Sequence, residues 1–158
     1  VSDAMRSQVL DAILALFPQK GTPAAEQFLT DYGLEWSVTS RDALDQLPKG
    51  KKTALGVYGG TAARAATTSF QRVLLPCTLE VYFYSTDSGG KTKALERMLA
   101  VAETVLKANS TLGGLVVNIE VTGEQTNIDG PYDNQVDAAL YFDVLYFHRE
   151  DDPTIGRS

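Results

Sequence analysis

The sequence predicts an α+β domain, a mainly antiparallel four-stranded β-sheet with helices packed on one face, in the order helices and then β-β-α-β-β. Three observations carry this expectation. Residues 77–84 alternate, with Leu79, Val81 and Phe83 on the side of Cys77 and Thr78, Glu80, Tyr82 and Tyr84 on the other. This period of two, in β-branched and aromatic residues, marks a strand with one buried face. Leu95, Met98, Leu99, Ala102, Val105 and Leu106 then recur at steps of three and four, an apolar stripe along a helix. Finally, Leu115, Val117, Ile119 and Val121, and later Val136, Ala138, Leu140, Phe142 and Val144, alternate with more polar neighbours.

Taken in order, residues 4–17 form a first helix with Met5, Val9, Leu10, Ile13, Leu14, Leu16 and Phe17 on its apolar side. Ser2 and Asp3 stand where caps belong, and Pro18 stops it. Thr22-Pro23 is an N-cap followed by a first-turn proline, opening a short helix to Tyr32 that Gly33 ends. Residues 34–38, around Trp36, read as a short strand or an extended link. Residues 40–47 suit one or two helical turns before Pro48-Lys49-Gly50 breaks them.

A short strand follows over 53–58, closed by Gly59-Gly60, and the Ala/Thr-rich residues 61–69 read as a loop. The extended stretch 70–84 is interrupted at Pro76, which lacks a ladder donor and implies an edge or a bulge. Asp87 or Ser88 caps the long helix and Asn109 ends it, ahead of a turn at Leu112-Gly113-Gly114 in which one position demands glycine. The hairpin loop spans 123–134 and carries Gly130-Pro131. The last strand, 136–148, is apolar on both sides in its second half, where Leu145 and Phe147 face away from Val144, so that end is expected to be covered on both faces. Placed between the 77–84 and 115–122 strands, it makes the sheet antiparallel throughout. Residues 1–150 are thus one domain and 151–158 a flexible tail.

The 158 residues suffice for one substantial core. No apolar run approaches the roughly 20 residues of a membrane helix, and residues 1–20 show no signal-peptide pattern. The expectation is a soluble protein made in the cytoplasm. Cys77, the single cysteine, sits at an inward strand position and reads as a small buried hydrophobe. A net charge of −6 argues against gripping nucleic acid through its phosphates. A last strand spanning about 43 Å would cross a whole domain of this size, about 40 Å wide, which suits contacts between subunits and equally a bent or interrupted strand in an ordinary monomer.

Gly90-Lys91-Thr92 follows a strand and opens a helix, as in a phosphate-binding loop. Such a loop also needs glycine at position 85, so that backbone amides can wrap the phosphates, and the residue there is Ser85. A solvated turn is the favoured reading, and an NTP-binding enzyme the least favoured function. His148, the only histidine, has no nucleophile near it in sequence and reads as a surface or strand-end residue. One cysteine and one histidine cannot build a zinc site, and Asp129, Asp133 and Asn134 do not match a calcium loop. No catalytic residue, metal or cofactor is therefore assigned. Glu120, Glu124, Asp129, Asp133 and Asp137 make an acidic run, either a solvated loop or a surface that repels DNA.

Several stretches together resemble the tail terminator proteins of long-tailed bacteriophages, also called minor tail or tail completion proteins. They are the first helix ending at Leu16-Phe17-Pro18, then Arg41 and Leu47-Pro48, the strand Leu79-Glu80-Val81-Tyr82-Phe83-Tyr84, and Asn109-Ser110-Thr111-Leu112-Gly113-Gly114-Leu115-Val116 after the helix. Ala139-Leu140-Tyr141-Phe142-Asp143-Val144-Leu145-Tyr146-Phe147 with Asp152-Pro153 completes the pattern. The resemblance covers most of the chain. It implies a structural virion protein without enzyme activity, forming a hexameric ring at the head-proximal end of the tail tube. There it would stop polymerisation and offer a head-joining surface. The partners implied are other copies of the chain, the tube protein and the head-tail connector, with genomic DNA passing unbound and no membrane. On that reading Tyr82, Tyr84, Tyr141, Leu145 and Phe147 are candidate subunit or tube contacts. Glu124, Asp129 and Asp133 are candidate lumen-facing acids, and Gly113 and Gly114 form a structural turn. The alternative is a head-tail connector or other neck or tube protein.

Overall fold

The computed structural model describes residues 4–44, 47, 49–85, 90–127 and 134–156. The expected caps Ser2, Asp3, Asp87 and Ser88, the acids Asp129 and Asp133, and Gly130-Pro131 lie outside the described residues.

The first helix, α1 (Met5–Ala15), buries Met5, Val9, Leu10 and Ile13 and stops before Pro18. In α2 (Pro23–Tyr32) the Thr22 hydroxyl accepts the Ala25 N–H, and Gly33 ends the helix in the left-handed conformation. Phe17, Phe28 and Trp36 meet with ring centroids 6.1–6.2 Å apart, which fixes the segment leading to β1 (Val38–Ser40) as an extended link rather than a strand through Trp36. The long helix α3 (Lys91–Ala108) buries all six residues of its predicted stripe and ends at Asn109.

The strands form one seven-stranded sheet with its main path ordered β1-β2-β4-β6-β5, where β2 is Thr53–Gly59, β4 Phe70–Tyr84, β5 Asn118–Asn127 and β6 Gln135–Arg149. β3 (Ala63–Ala66) pairs with β4 and β7 (Asp152–Gly156) with β6. β6 does lie between β4 and β5, and the sheet is antiparallel except where β1 runs parallel to β2. Leu55, Val57, Leu75, Cys77, Leu79, Val81, Val136, Leu140, Phe142, Val144 and Tyr146 join the stripes of α1 and α3 in one core, so the helices cover a single face. Burial pushes the Cys77 thiol up to about 12, as expected of a packed hydrophobe rather than a nucleophile.

Five local expectations are corrected. Residues 40–47 are not helical where described. Residues 41–44 and Leu47 lie as a strap across the far face of the sheet, because tertiary hydrogen bonds to Leu44 and Leu47 replace helical ones. Residues 61–69 contain β3, whose four residues are all exposed and so carry no burial pattern. The C-terminal segment forms β7, with the Thr154 carbonyl accepting from the Gln8 side chain at 2.9 Å and Met5 packed against Gly156. β4 runs unbroken through Pro76 in the interior of the sheet. The Pro76 carbonyl accepts from Gly60 at 2.7 Å, so its backbone faces the gap between β2 and β3, where no donor is needed. His148 is 4% exposed, with Nδ1 2.7 Å from the Arg149 carbonyl oxygen.

Candidate functional site

Strand parity decides what the far face of the sheet carries. Residues that alternate with the core positions, such as Thr78, Tyr141, Asp143, Leu145 and Phe147, point away from the helices. The register sets Leu74 opposite Leu145, Arg72 opposite Phe147, Thr78 opposite Tyr141 and Tyr84 opposite Gln135. All five residues predicted as subunit or tube contacts, Tyr82, Tyr84, Tyr141, Leu145 and Phe147, therefore share this outer face. No helix packs on it among the described residues, and Leu145 and Phe147 are half-buried by their neighbours rather than covered by a second layer. That corrects the expectation of cover on both sides.

One end of the face is closed. The Glu80 carboxylate accepts from the Tyr58 hydroxyl at 2.7 Å and from the Leu44 N–H at 3.2 Å, while the Tyr82 hydroxyl donates to the Leu44 carbonyl. Farther along, the Gln135 side chain accepts the Leu47 N–H at 3.0 Å. These bonds hold the strap against the sheet, and Arg41 ties it to α1 through Asp11 and the Ser7 carbonyl. Tyr82 is only 5% exposed beneath the strap, which removes it from the contact set as a free surface. Burial first and Glu80 second raise the Tyr58 phenol to about 12, and the same causes push Tyr82 up. Tyr84, at 41%, stays exposed.

The open end mixes an apolar patch with acids. Leu74 stands opposite Leu145 on this face, with Phe147 two residues along the same strand, and Val117, 50% exposed just before β5, donates its N–H to the Leu145 carbonyl at 2.8 Å. Glu120 lies opposite Asp143, and like charges directly opposed leave this part of the face electronegative. The Tyr141 hydroxyl donates to Gln125 at 3.0 Å on the same face.

Glu124 does not join these residues. A bulge between Val121 and Gly123 shifts the register by one, so Glu124 sits opposite Leu140 and on the helix side. There it lines a groove with Glu96 and Glu103 of α3. The turn after α3 uses both glycines: Gly113 has φ 68° and Gly114 φ 97°, with Leu112 at 48° before them.

Lys91 Nζ lies 3.5 Å from the Asn134 side-chain oxygen, and Gly90 opens α3 without a side-chain cap. Among the described residues no group of three or more His, Cys, Asp and Glu is placed to hold a metal ion, and no helix is long and apolar enough to cross a membrane. A depression of the surface is lined by Lys20, Lys51, Lys52, Glu35, Leu29 and Phe83, with the hydroxyls of Ser37 and Thr53 but no histidine. What the sequence did not reveal is the Glu80 anchor of the strap. Its one signal was an acid placed in the uncharged second half of β4, residues 77–84 being otherwise without charge. No protein-family model matches the chain, and no curated protein matches it.

Proposed function

We propose that the chain is a structural protein of a phage-type tail, a terminator that closes into a hexameric ring on the tail tube, stops its polymerisation and offers the head-joining surface. The observation that supports this best is the outer sheet face. It is a long, two-stranded platform carrying Tyr84, Tyr141, Leu145 and Phe147, with an apolar patch and no helical layer over it among the described residues. Such a patch marks an interaction surface. The resemblance over most of the chain supplies the kind of partner: other copies, the tube protein and the connector.

On this reading the protein catalyses nothing and needs no cofactor. Genomic DNA passes without specific binding, consistent with the charge of −6. The protein works in the virion, at the head-proximal end of the tail, after assembly in the host cytoplasm.

The test is to add the purified protein to polymerising tube subunits and image the products. Shorter tubes, capped at one end by a ring of the protein, are expected. A tube-length distribution unchanged by the protein, with none bound at tube ends, overturns the terminator reading in favour of a neck or connector component.

A further inference from the structure

Two edge strands on opposite sides of the β4–β6 pair, β3 and β5, differ in charge, and each lacks a second strand partner among the described residues. On one border β3 pairs only with β4, and Ala63, Arg64, Ala65 and Ala66 are all exposed. Its small side chains leave room for another strand to approach. From Gly60 to Leu75 the chain carries Arg64 and Arg72 and no carboxylate, and Arg6 reaches the same border through the Gly60 carbonyl at 2.9 Å. Arg64 makes no ion pair among the described residues.

The opposite border is β5, ten residues that pair only with β6. Edge strands are ordinarily blunted by proline, lysine or shortness, because their free N–H and C=O groups template pairing with another chain. β5 contains no proline and no lysine, and only the bulge at Val121 interrupts it. Its charges are Glu120 and Glu124, and no Lys or Arg occurs between Lys107 and Arg149.

We infer that β3 of one copy adds to β5 of the next, so that the sheet continues from subunit to subunit with Arg64 against Glu124. Side-chain parity selects this pair. Arg64 sits opposite Val73 and Glu124 opposite Leu140, both on the helix side, so a shared sheet brings them to the same face. Glu120 is on the other face and cannot substitute. The bulge matters here, because without it Glu124 would face away from Arg64. Main-chain hydrogen bonds supply affinity and the charge pair sets orientation. Two different borders meet, so the contact is head-to-tail and propagates to a closed ring or an open chain. This deepens the self-association part of the proposed function and names its interface.

The experiment compares wild type, Arg64→Glu, Glu124→Arg and the double reversal by sedimentation over a concentration series, with melting temperature as the folding control. Both side chains are exposed, so all four proteins should fold. Each single reversal should weaken association roughly tenfold or more, and the double reversal should restore it. As a second reading, oxidised Ala63→Cys/Gln125→Cys protein should give a ladder of cross-linked oligomers, since both residues are on the outer face and stand opposite each other when antiparallel strands put Arg64 against Glu124. A wild type monomeric up to its solubility limit, single reversals without effect, or a double reversal no better than the singles would each overturn the inference. The same variants in the tube-length assay separate the two ideas. Arg64→Glu protein that assembles and shortens tubes like wild type overturns the edge contact alone. Charge-paired assembly that leaves tube length unchanged overturns the terminator reading alone.

Discussion

The Tyr58 hydroxyl donates to Glu80 at 2.7 Å, and the same carboxylate receives the Leu44 N–H, so one acid joins the sheet to the strap that crosses it. The neutral phenol is favoured in the fold, which is why its pKa rises to about 12. A group raised in this way contributes stability that is complete below the ordinary tyrosine value near 10 and is lost as pH rises through about 12. Unfolding free energy measured between those limits should therefore fall with pH. Tyr58→Phe should flatten the slope without abolishing it, because Tyr82 and Tyr146 are also raised. An identical alkaline slope in the variant would show that Tyr58 carries none of it.

Gly56 is the point of closest approach between strap and sheet. A β-carbon there would lie 2.8 Å from the Asp42 carbonyl oxygen and 3.5 Å from Leu44 Cγ. Gly56→Ala must push the strap backbone away and should cost about 1–3 kcal/mol, read as a lowered denaturant midpoint. Increased exposure of Tyr82 should accompany it. A variant with the wild-type midpoint would mean that the strap does not rest on this residue.

The turn after α3 makes a different demand. A β-carbon at Gly113 or Gly114 would meet open space, yet both residues have positive φ, so the penalty is conformational and not a clash. Gly113→Val and Gly114→Val should each lose roughly 1–2 kcal/mol, measured by chemical denaturation. Tolerance of both would contradict the left-handed geometry.

The Gly90-Lys91-Thr92 motif should bind no nucleotide, since Ser85 stands where a phosphate loop needs glycine. Calorimetric titration with ATP and magnesium is expected to show no saturable heat, and Lys91→Ala should fold and assemble as wild type. Micromolar binding lost in that variant would promote the enzyme alternative.

What the sequence made legible was whatever carried a burial period. α3, β4 and β6 follow from alternation or stripes because one side of each meets the core. The alternation in β6 continues beyond Val144 through Tyr146 to His148, and carrying it those four residues further would have placed the histidine inside. β3 was illegible because all four of its residues are exposed, leaving small side chains with no pattern. The strap was misread as helix because its local preference yields to bonds from Glu80 and Gln135, residues distant in sequence. For the candidate site, period-two alternation accounts for Tyr84, Tyr141, Leu145 and Phe147 sharing one face. Glu124 lies on the other face, because a one-residue bulge reverses parity and nothing in Val121-Thr122-Gly123 announces it beyond the glycine.

The β4–β6 ladder runs from Phe70–Arg149 to Tyr84–Gln135, so every rung closes a loop containing all of α3 and β5. Loop closure must be met before such contacts are rewarded, whereas the β3–β4 and β5–β6 hairpins close locally. Folding should therefore proceed by two hairpins forming early and docking late, on the millisecond-to-second scale of non-local sheets. In stopped-flow measurements, Leu79→Ala and Leu140→Ala, which sit opposite each other in the central ladder, should mainly accelerate unfolding. Until docking, the apolar sides of both hairpins remain open to water, and that interval is when the chain is most exposed to aggregation.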